Sequence, residues 1–488
     1  MELREWDNFF DTTDDGKEFL KRLDICRKTF VDRDQKSKKS LEKAYRTTLA
    51  REMWQNEIHT YYLYQPWARE YCKDLAPKDE DELYWSEQLD KGGFYYQNPN
   101  FLNKIVFKVH QYDKSSAYLS LLTTEKYPLT SFTYTDNDEE IQKIIKDKFF
   151  CYYGEFYFKN LRYKNDLFKI DLARFGGDPI EGEINSWRLI LTNVDIEWFK
   201  NCFEWDCCFV SFLYYSQQRE LTFNHKDYAK MFLDLYEAKD AQKKGTFAKE
   251  IFKFRAQLPF GQPIKQVDYP IEVIYNKDNN YYTSRDKLTE KSLAEITNNL
   301  CNRGIPRYVS LWLAAYSRLE FFNMLYEVGF ENVVYGDTDS VKFIGKEGIE
   351  IVKAHNDKLR EKMEKVNKKR KILVYNEKLG QWIDEGDLNA FKAIGVKWYV
   401  TLDLNDKLDV KASGADVEVL KAWLNEQKMP LHAFNCSMKV FGLFHEIKES
   451  KNGKGIVFRY KNQMDREIKR DILRQGTELY QYIPFKEG

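Results

Sequence analysis

The chain has 488 residues, 43% hydrophobic and 16% aromatic, and its 77 basic and 77 acidic residues give zero formal net charge. That describes a soluble globular protein of several subdomains with a large core, and a zero total leaves nucleic acid open as a partner because binding follows where charges sit. No apolar run reaches membrane-spanning length and Met1-Glu2-Leu3-Arg4 does not read as the start of a signal peptide, so no membrane partner and a cytoplasmic setting are expected.

The eight cysteines show no C-x-x-C spacing, and Cys207 and Cys208 are adjacent, so core thiols are expected rather than disulfides or zinc ligands. Leu41, Ala44, Tyr45 and Thr48 recur at helix spacing and predict a helix over about 38–62. The acidic run Asp79-Glu80-Asp81-Glu82 reads as solvated surface. At Lys91-Gly92-Gly93-Phe94 the paired glycines permit a backbone shape closed to other residues, or a close approach by a ligand. A strand rich in β-formers, Ile105 to Asp113, then delivers a carboxylate at its end, followed by Lys114-Ser115-Ser116-Ala117-Tyr118.

Residues 121–235 alternate strand-like runs, at 149–158 and 207–215, with a turn at Gly176-Gly177 and a helix opening after Asn193. Asp195 falls in that helix's first turn, and no catalytic cluster is visible in this part. From Asp240 a helix follows in which Lys249, Lys253 and Gln257, four apart, share a face; Leu258-Pro259-Phe260-Gly261 reads as its stop. A hairpin is predicted over 271–283. A core helix starting at Val309 carries Trp312, Leu313, Tyr316 and Leu319 on its apolar face and closes at Gly329.

Next come Val333 to Ile344, two apolar runs around a polar tip, which read as a hairpin with Asp337 and Asp339 at or beside the turn. Carboxylates one residue apart on extended backbone point the same way and face one cation. With Asp113 they make the three acids a two-cation site needs: magnesium takes oxygen ligands, and two ions stabilise the attacking and leaving oxygens of phosphoryl transfer. A basic helix face is usually solvated, but in this order of parts lysines four apart on a rigid helix are able to grip a triphosphate from the other side. Further on, 358–371 reads as an exposed basic helix. Gly395 to Leu402 reads as a strand with Lys397 and Tyr399 on one face. The tail from Met429 carries a basic patch at Lys451, Lys454, Arg459 and Lys461.

The string Tyr335-Gly336-Asp337-Thr338-Asp339-Ser340 resembles motif C of the family B DNA polymerases. Asp113 to Tyr118 is similar to their motif A, Lys253 to Gly261 to motif B, and Lys397-Trp398-Tyr399 to the Lys-x-Tyr motif. Lys91 to Phe94 resembles the Tyr-x-Gly-Gly segment, with Lys in place of Tyr. Gln257, Leu258 and Phe260 replace the usual Asn, Ser and Tyr of motif B, and Ala117 and Leu119 depart from motif A. Softer matches at Leu191 to Asp195, Lys378 to Trp382 and Val410 to Gly414 point to the protein-primed bacteriophage branch.

The resemblance implies an α+β right-hand fold of palm, fingers and thumb with an antiparallel palm sheet. It divides the chain into an N-terminal part (1–91), palm (92–122 and 304–428), fingers (231–265) and thumb (429–488). Two insertions, 123–230 and 266–303, resemble terminal-protein regions 1 and 2. Asp113 and Asp339 would be the catalytic metal ligands for two Mg2+ ions, Mn2+ being an admissible substitute, with Asp337 a more peripheral catalytic acid. Tyr118 would be the steric gate, and Ser116, Lys249, Lys253 and Phe260 would bind the nucleotide. Lys397, Tyr399, Gly92 and Gly93 would contact DNA and primer.

The implied partners are primer-template DNA and deoxynucleoside triphosphates, with a terminal priming protein and a separate exonuclease chain as further candidates. The setting would be a host-cell cytoplasm if the chain is phage-encoded. About ninety residues precede Gly92, too few for the usual proofreading domain, so intrinsic 3′–5′ exonuclease activity is not expected. The alternative is a catalytically silent polymerase-fold protein that binds nucleic acid or acts as a scaffold.

Overall fold

The structure, a computed structural model, describes residues 50–51, 53, 55–56, 66–220, 234–243, 246–261, 271–276, 281–286, 290–301, 305–370, 378–413 and 417–434. The described residues between 50 and 56 are helical; the rest of the helix expected over 38–62, and the basic patch of the tail, lie outside the described residues.

An eight-stranded sheet carries the acids. Its strands are β1 (Tyr95–Gln97), β2 (Val106–Lys114), β3 (Val333–Asp337), β4 (Ser340–Phe343), β5 (Trp382–Asp384), β6 (Leu388–Gly395), β7 (Trp398–Asp403) and β8 (Leu408–Ala412). They lie in the order β1-β3-β4-β2-β6-β7-β8, with β5 also paired to β2. Every pairing is antiparallel. The centre of the sheet is therefore assembled from segments more than two hundred residues apart in the chain.

A second, six-stranded antiparallel sheet is built from 126–220 around the long pair Phe150–Lys159 and Cys207–Glu220. Three helices tie the two sheets together: α1 (Ala117–Thr124), α2 (Asn193–Cys202) and α3 (Arg307–Val328). The last is buried on nearly all sides, as expected of a helix with apolar residues around its whole circumference. Tyr308 and Trp312 reach one core with Tyr127, Phe132 and Tyr153. Phe321, Phe322 and Leu325 reach another with Tyr112, Val341, Trp198 and Phe203. Burying each of these last three apolar side chains contributes roughly 1.5–3 kcal/mol. Gly329 ends the helix at φ 86°, its N–H returning to the Leu325 and Tyr326 carbonyls.

Much of the aromatic content goes into these cores; Trp198 lies 4.1 Å from the Phe322 ring and 4.4 Å from the Phe199 ring. Among the described cysteines, Cys72, Cys151, Cys202 and Cys301 are buried free thiols, whereas Cys208 is exposed. The run at 79–82 is only partly solvated. Asp79 caps the helix Glu80–Glu87, while Glu82 is buried and accepts hydrogen bonds from the Tyr308 hydroxyl (2.8 Å) and the Lys78 N–H (3.0 Å). Phenol and amide donors make that burial tolerable.

Two boundaries differ from expectation. The basic helix, α4 (Phe247–Gly261), starts at Phe247 rather than at Asp240, residues 241–243 being non-helical, and it ends at Gly261, within the expected stop. The strand expected from Gly395 to Leu402 is instead the end of β6, a turn at Val396-Lys397, and β7 from Trp398. Lys397 takes a left-handed φ of 55°, so it does not share a strand face with Tyr399. A register shift between Ala393 and Gly395 accompanies the turn. The expected hairpin is present as Ile271–Asn276 paired with Tyr281–Asp286, and the basic helix expected over 358–371 forms the second half of Glu347–Arg370. Among the described residues no helix is long and apolar enough to cross a membrane.

Candidate active site

The tip of the β3–β4 hairpin is a two-residue turn, Thr338-Asp339, between paired Asp337 and Ser340. The Asp339 N–H donates to the Asp337 carbonyl at 2.7 Å across Thr338, whose φ is 59°. That is a γ-turn of the strained, positive-φ kind. The flanking segment holds it: the Thr338 N–H donates to the Phe94 carbonyl at 2.7 Å.

Ser340 lies across β4 from Asp113 on β2, and the Lys114 N–H donates to the Asp339 carbonyl at 2.7 Å. Asp113 and Asp339 are thus brought together, each half-buried. Burial pushes Asp113 up to about 7, with Asp339 and Glu385 adding to the rise and Lys342 and Lys253 pulling against it. Burial and then Asp337 push Asp339 up to about 6, against its own backbone N–H, Lys253 and Lys114. Asp337 stands at the edge, its Oδ2 3.6 Å from Lys397 Nζ and its Oδ1 accepting from Thr338 Oγ1 at 3.2 Å.

Behind Asp113 the chain turns sharply. Ser116 sits in the N-cap position of α1 at φ 51° but makes no capping bond; its hydroxyl accepts from Lys239 Nζ instead. The Ser115 N–H donates to the Gln381 carbonyl (2.8 Å) and the Ser115 carbonyl accepts from the Gly380 N–H (2.6 Å), so the segment before β5 brackets the turn. Tyr118, in the first turn of α1, shares a hydrogen bond with Ser317, and burial raises its phenol pKa. It lines a cavity of about 10 Å³ together with Gly92, Gly93, Ser317, Arg318 and Thr338. The glycine pair therefore has a backbone reason to exist. Gly92 adopts φ 61°, and Gly93 lies against Thr338 where no side chain fits.

Lys253 of α4 is exposed and acts on both acids through its charge. Lys249 stands one step back, its Nζ donating to the Lys239 carbonyl at 2.7 Å, with Asp240 at 3.9 Å. The Phe260 side chain lies outside the described residues. Near Asp337, the Lys397 N–H donates to the Tyr335 hydroxyl at 2.9 Å, and the Tyr335 and Tyr399 rings lie 5.2 Å apart.

Several residues at the site carried little or no sequence signal. Lys239 comes from the helical segment 234–240, where burial and Lys249 draw its pKa down. Arg174 donates to the Lys91 and Gly93 carbonyls and lies 4.0 Å from the Phe94 ring centroid. Arg318 pairs with Asp195 in the core, at 2.8 and 3.0 Å. Lys342 was discernible: alternation from Ser340 puts it on the acid face.

No protein-family model and no curated protein sequence matches the chain. Solved structures do. Phi29 DNA polymerase complexed with primer-template DNA matches with TM-score 0.53 and 14% identity, over 77% of this chain and 61% of that one. The same polymerase with primer-template DNA and incoming nucleotide matches at TM-score 0.51 and 16% identity, over 77% and 61%. Its orthorhombic crystal form matches at 0.51 and 16%, over 72% and 59%. This chain spans about three fifths of the length of that polymerase. At such identities the likeness is one of fold: a mixed helix and antiparallel-sheet architecture similar to the polymerase fold of Phi29 DNA polymerase.

Proposed function

We propose that the chain is a DNA-directed DNA polymerase that adds deoxynucleotides to a primer. The observation that carries this reading is the meeting of Asp113 and Asp339 on one sheet of a Phi29-like fold, with Lys253 acting on both. In this reading the palm is 92–122 with 304–428, the fingers are 231–265, and 123–230 and 266–303 are the two insertions.

The two acids suit a divalent cation. Each is half-buried, neither forms an ion pair among the described residues, and burial first, then a neighbouring carboxylate, raises both pKa values. Among the described residues no group of three or more metal-ligating side chains is gathered, so phosphate and water oxygens would complete a magnesium shell. Asp113 and Asp339 would hold Mg2+, which when bound supplies Lewis-acid stabilisation of the oxygens that attack and leave phosphorus.

The chain's own groups do the rest. Lys253 offsets charge on the triphosphate, and Lys239 and Ser116 stand beside its path. Tyr118, fixed by Ser317, forms the floor under the sugar. Lys397 and Tyr399 hold the primer end. The primer 3′-oxygen forms a bond to the α-phosphorus while the bond to pyrophosphate breaks.

The test is incubation of the full chain with labelled dATP and primed DNA and, separately, with a candidate terminal protein. Extended primer supports the polymerase reading, and covalently labelled protein adds protein priming. Binding of duplex without incorporation under varied metal conditions would instead assign a silent nucleic-acid-binding protein.

A further inference from the structure

Lys342 projects from β4 on the face that carries the acids. Ser340 lies across from Asp337 on one side and Asp113 on the other; two residues on, Lys342 lies across from Tyr335 and Gln111. Only 5% of the residue is exposed, and its ammonium stands 5.3 Å from the centroid of the Tyr399 ring. Among the described residues it has no hydrogen-bond acceptor and no ion pair. An ammonium that stands beside an aromatic face and donates no hydrogen bond keeps donors to spare.

The surroundings say what such a donor is for. The charges of Asp113, Asp337 and Glu385 all reach Lys342, and Asp339 acts on Asp113; without a cation these carboxylates oppose the approach of a nucleic-acid backbone. Burial draws the Lys342 pKa down, while Glu385, Asp113 and Asp337 push it back. The neighbouring cation Lys397 is exposed, 3.6 Å from Asp337 at the edge of the acid face.

Resting on the polymerase reading, we infer that Lys342 is a resident counter-charge of the acid face, positioned by the Tyr399 ring. It admits the terminal phosphate of the primer before divalent cations have neutralised the carboxylates. It is a positioning residue: metal ions take over part of its task once bound.

Fluorescence anisotropy of a labelled primer-template duplex with the full chain tests this, in EDTA and again in Ca2+. Lys342→Gln should weaken binding about tenfold in EDTA and about twofold in Ca2+, and lower the salt slope by about one. Lys342→Arg should behave as wild type, and adding Asp113→Asn to Lys342→Gln should restore binding in EDTA. An equal loss with and without Ca2+, or no loss in EDTA, overturns the inference. If circular dichroism shows Lys342→Gln unfolded, Asp113→Asn alone serves: tighter duplex binding than wild type in EDTA is expected, and unchanged binding overturns the inference. A wild-type chain that binds no duplex in either condition overturns the polymerase reading as well.

Discussion

Gly93 has no room for a side chain, since a Cβ there would lie 2.2 Å from Thr338 Oγ1. The contact matters because Thr338 is the centre of the γ-turn that places Asp339. Gly93→Ala should force the turn to move, costing roughly 1–3 kcal/mol of stability and depressing nucleotide incorporation more than tenfold. Thr338→Gly in the same chain removes the clashing atoms and tolerates the positive φ, so it should recover most of both losses. Thermal unfolding and single-turnover incorporation measure the two, and a Gly93→Ala chain indistinguishable from wild type would refute the clamp. At this scale the turn was legible in sequence, because Asp337, Thr338 and Asp339 are neighbours, but the extended backbone expected between the two acids is a positive-φ turn at Thr338. Lys397 departs from the expected strand for the converse reason. A positive φ at a lysine breaks the strand before Trp398, and nothing in the side chain announces it.

Between elements, a buried ion pair behind the site, Asp195 with Arg318, joins the first turn of α2 to the middle of α3. Thr192 and Asp195 close a capping box, and Trp198 Nε1 donates to Asp195 at 3.2 Å. Burial alone would push this carboxyl up, but the Arg318 charge and the hydrogen bonds outweigh it and hold the pKa below the usual range. A folded pKa below the unfolded value near 4 gives stability that is present above that value and lost as pH falls through the folded one. Asp195→Ala should therefore cost about 3–5 kcal/mol at pH 7, because a buried guanidinium loses its partner. The deficit should shrink at pH 3. Denaturant unfolding at both pH values checks this, and an unchanged deficit would mean that the ionised pair is not the link. The sequence placed Asp195 in a helix's first turn, but could not show a partner more than a hundred residues away.

Across the molecule, the order of parts was the readable feature: acid-bearing strand, basic helix, acid-bearing hairpin, Lys-x-Tyr segment. Each part is short and locally patterned, so each could be found without knowing the fold. How α3 serves two cores at once was not readable, because a helix apolar on every side gives no direction to its neighbours. The likeness to Phi29 DNA polymerase at 14–16% identity fits that division, since antiparallel register and burial can be kept while most side chains change.

A polymerase of this kind needs Asp113 and Asp339 to act as one site. Single-turnover extension of a primed DNA template in Mg2+, comparing wild type with Asp113→Asn and Asp339→Asn, addresses it directly. Duplex binding by each variant should be at least as tight as wild type, while incorporation should fall roughly 10³-fold in both. Incorporation that survives in either variant at close to the wild-type rate would contradict the assignment.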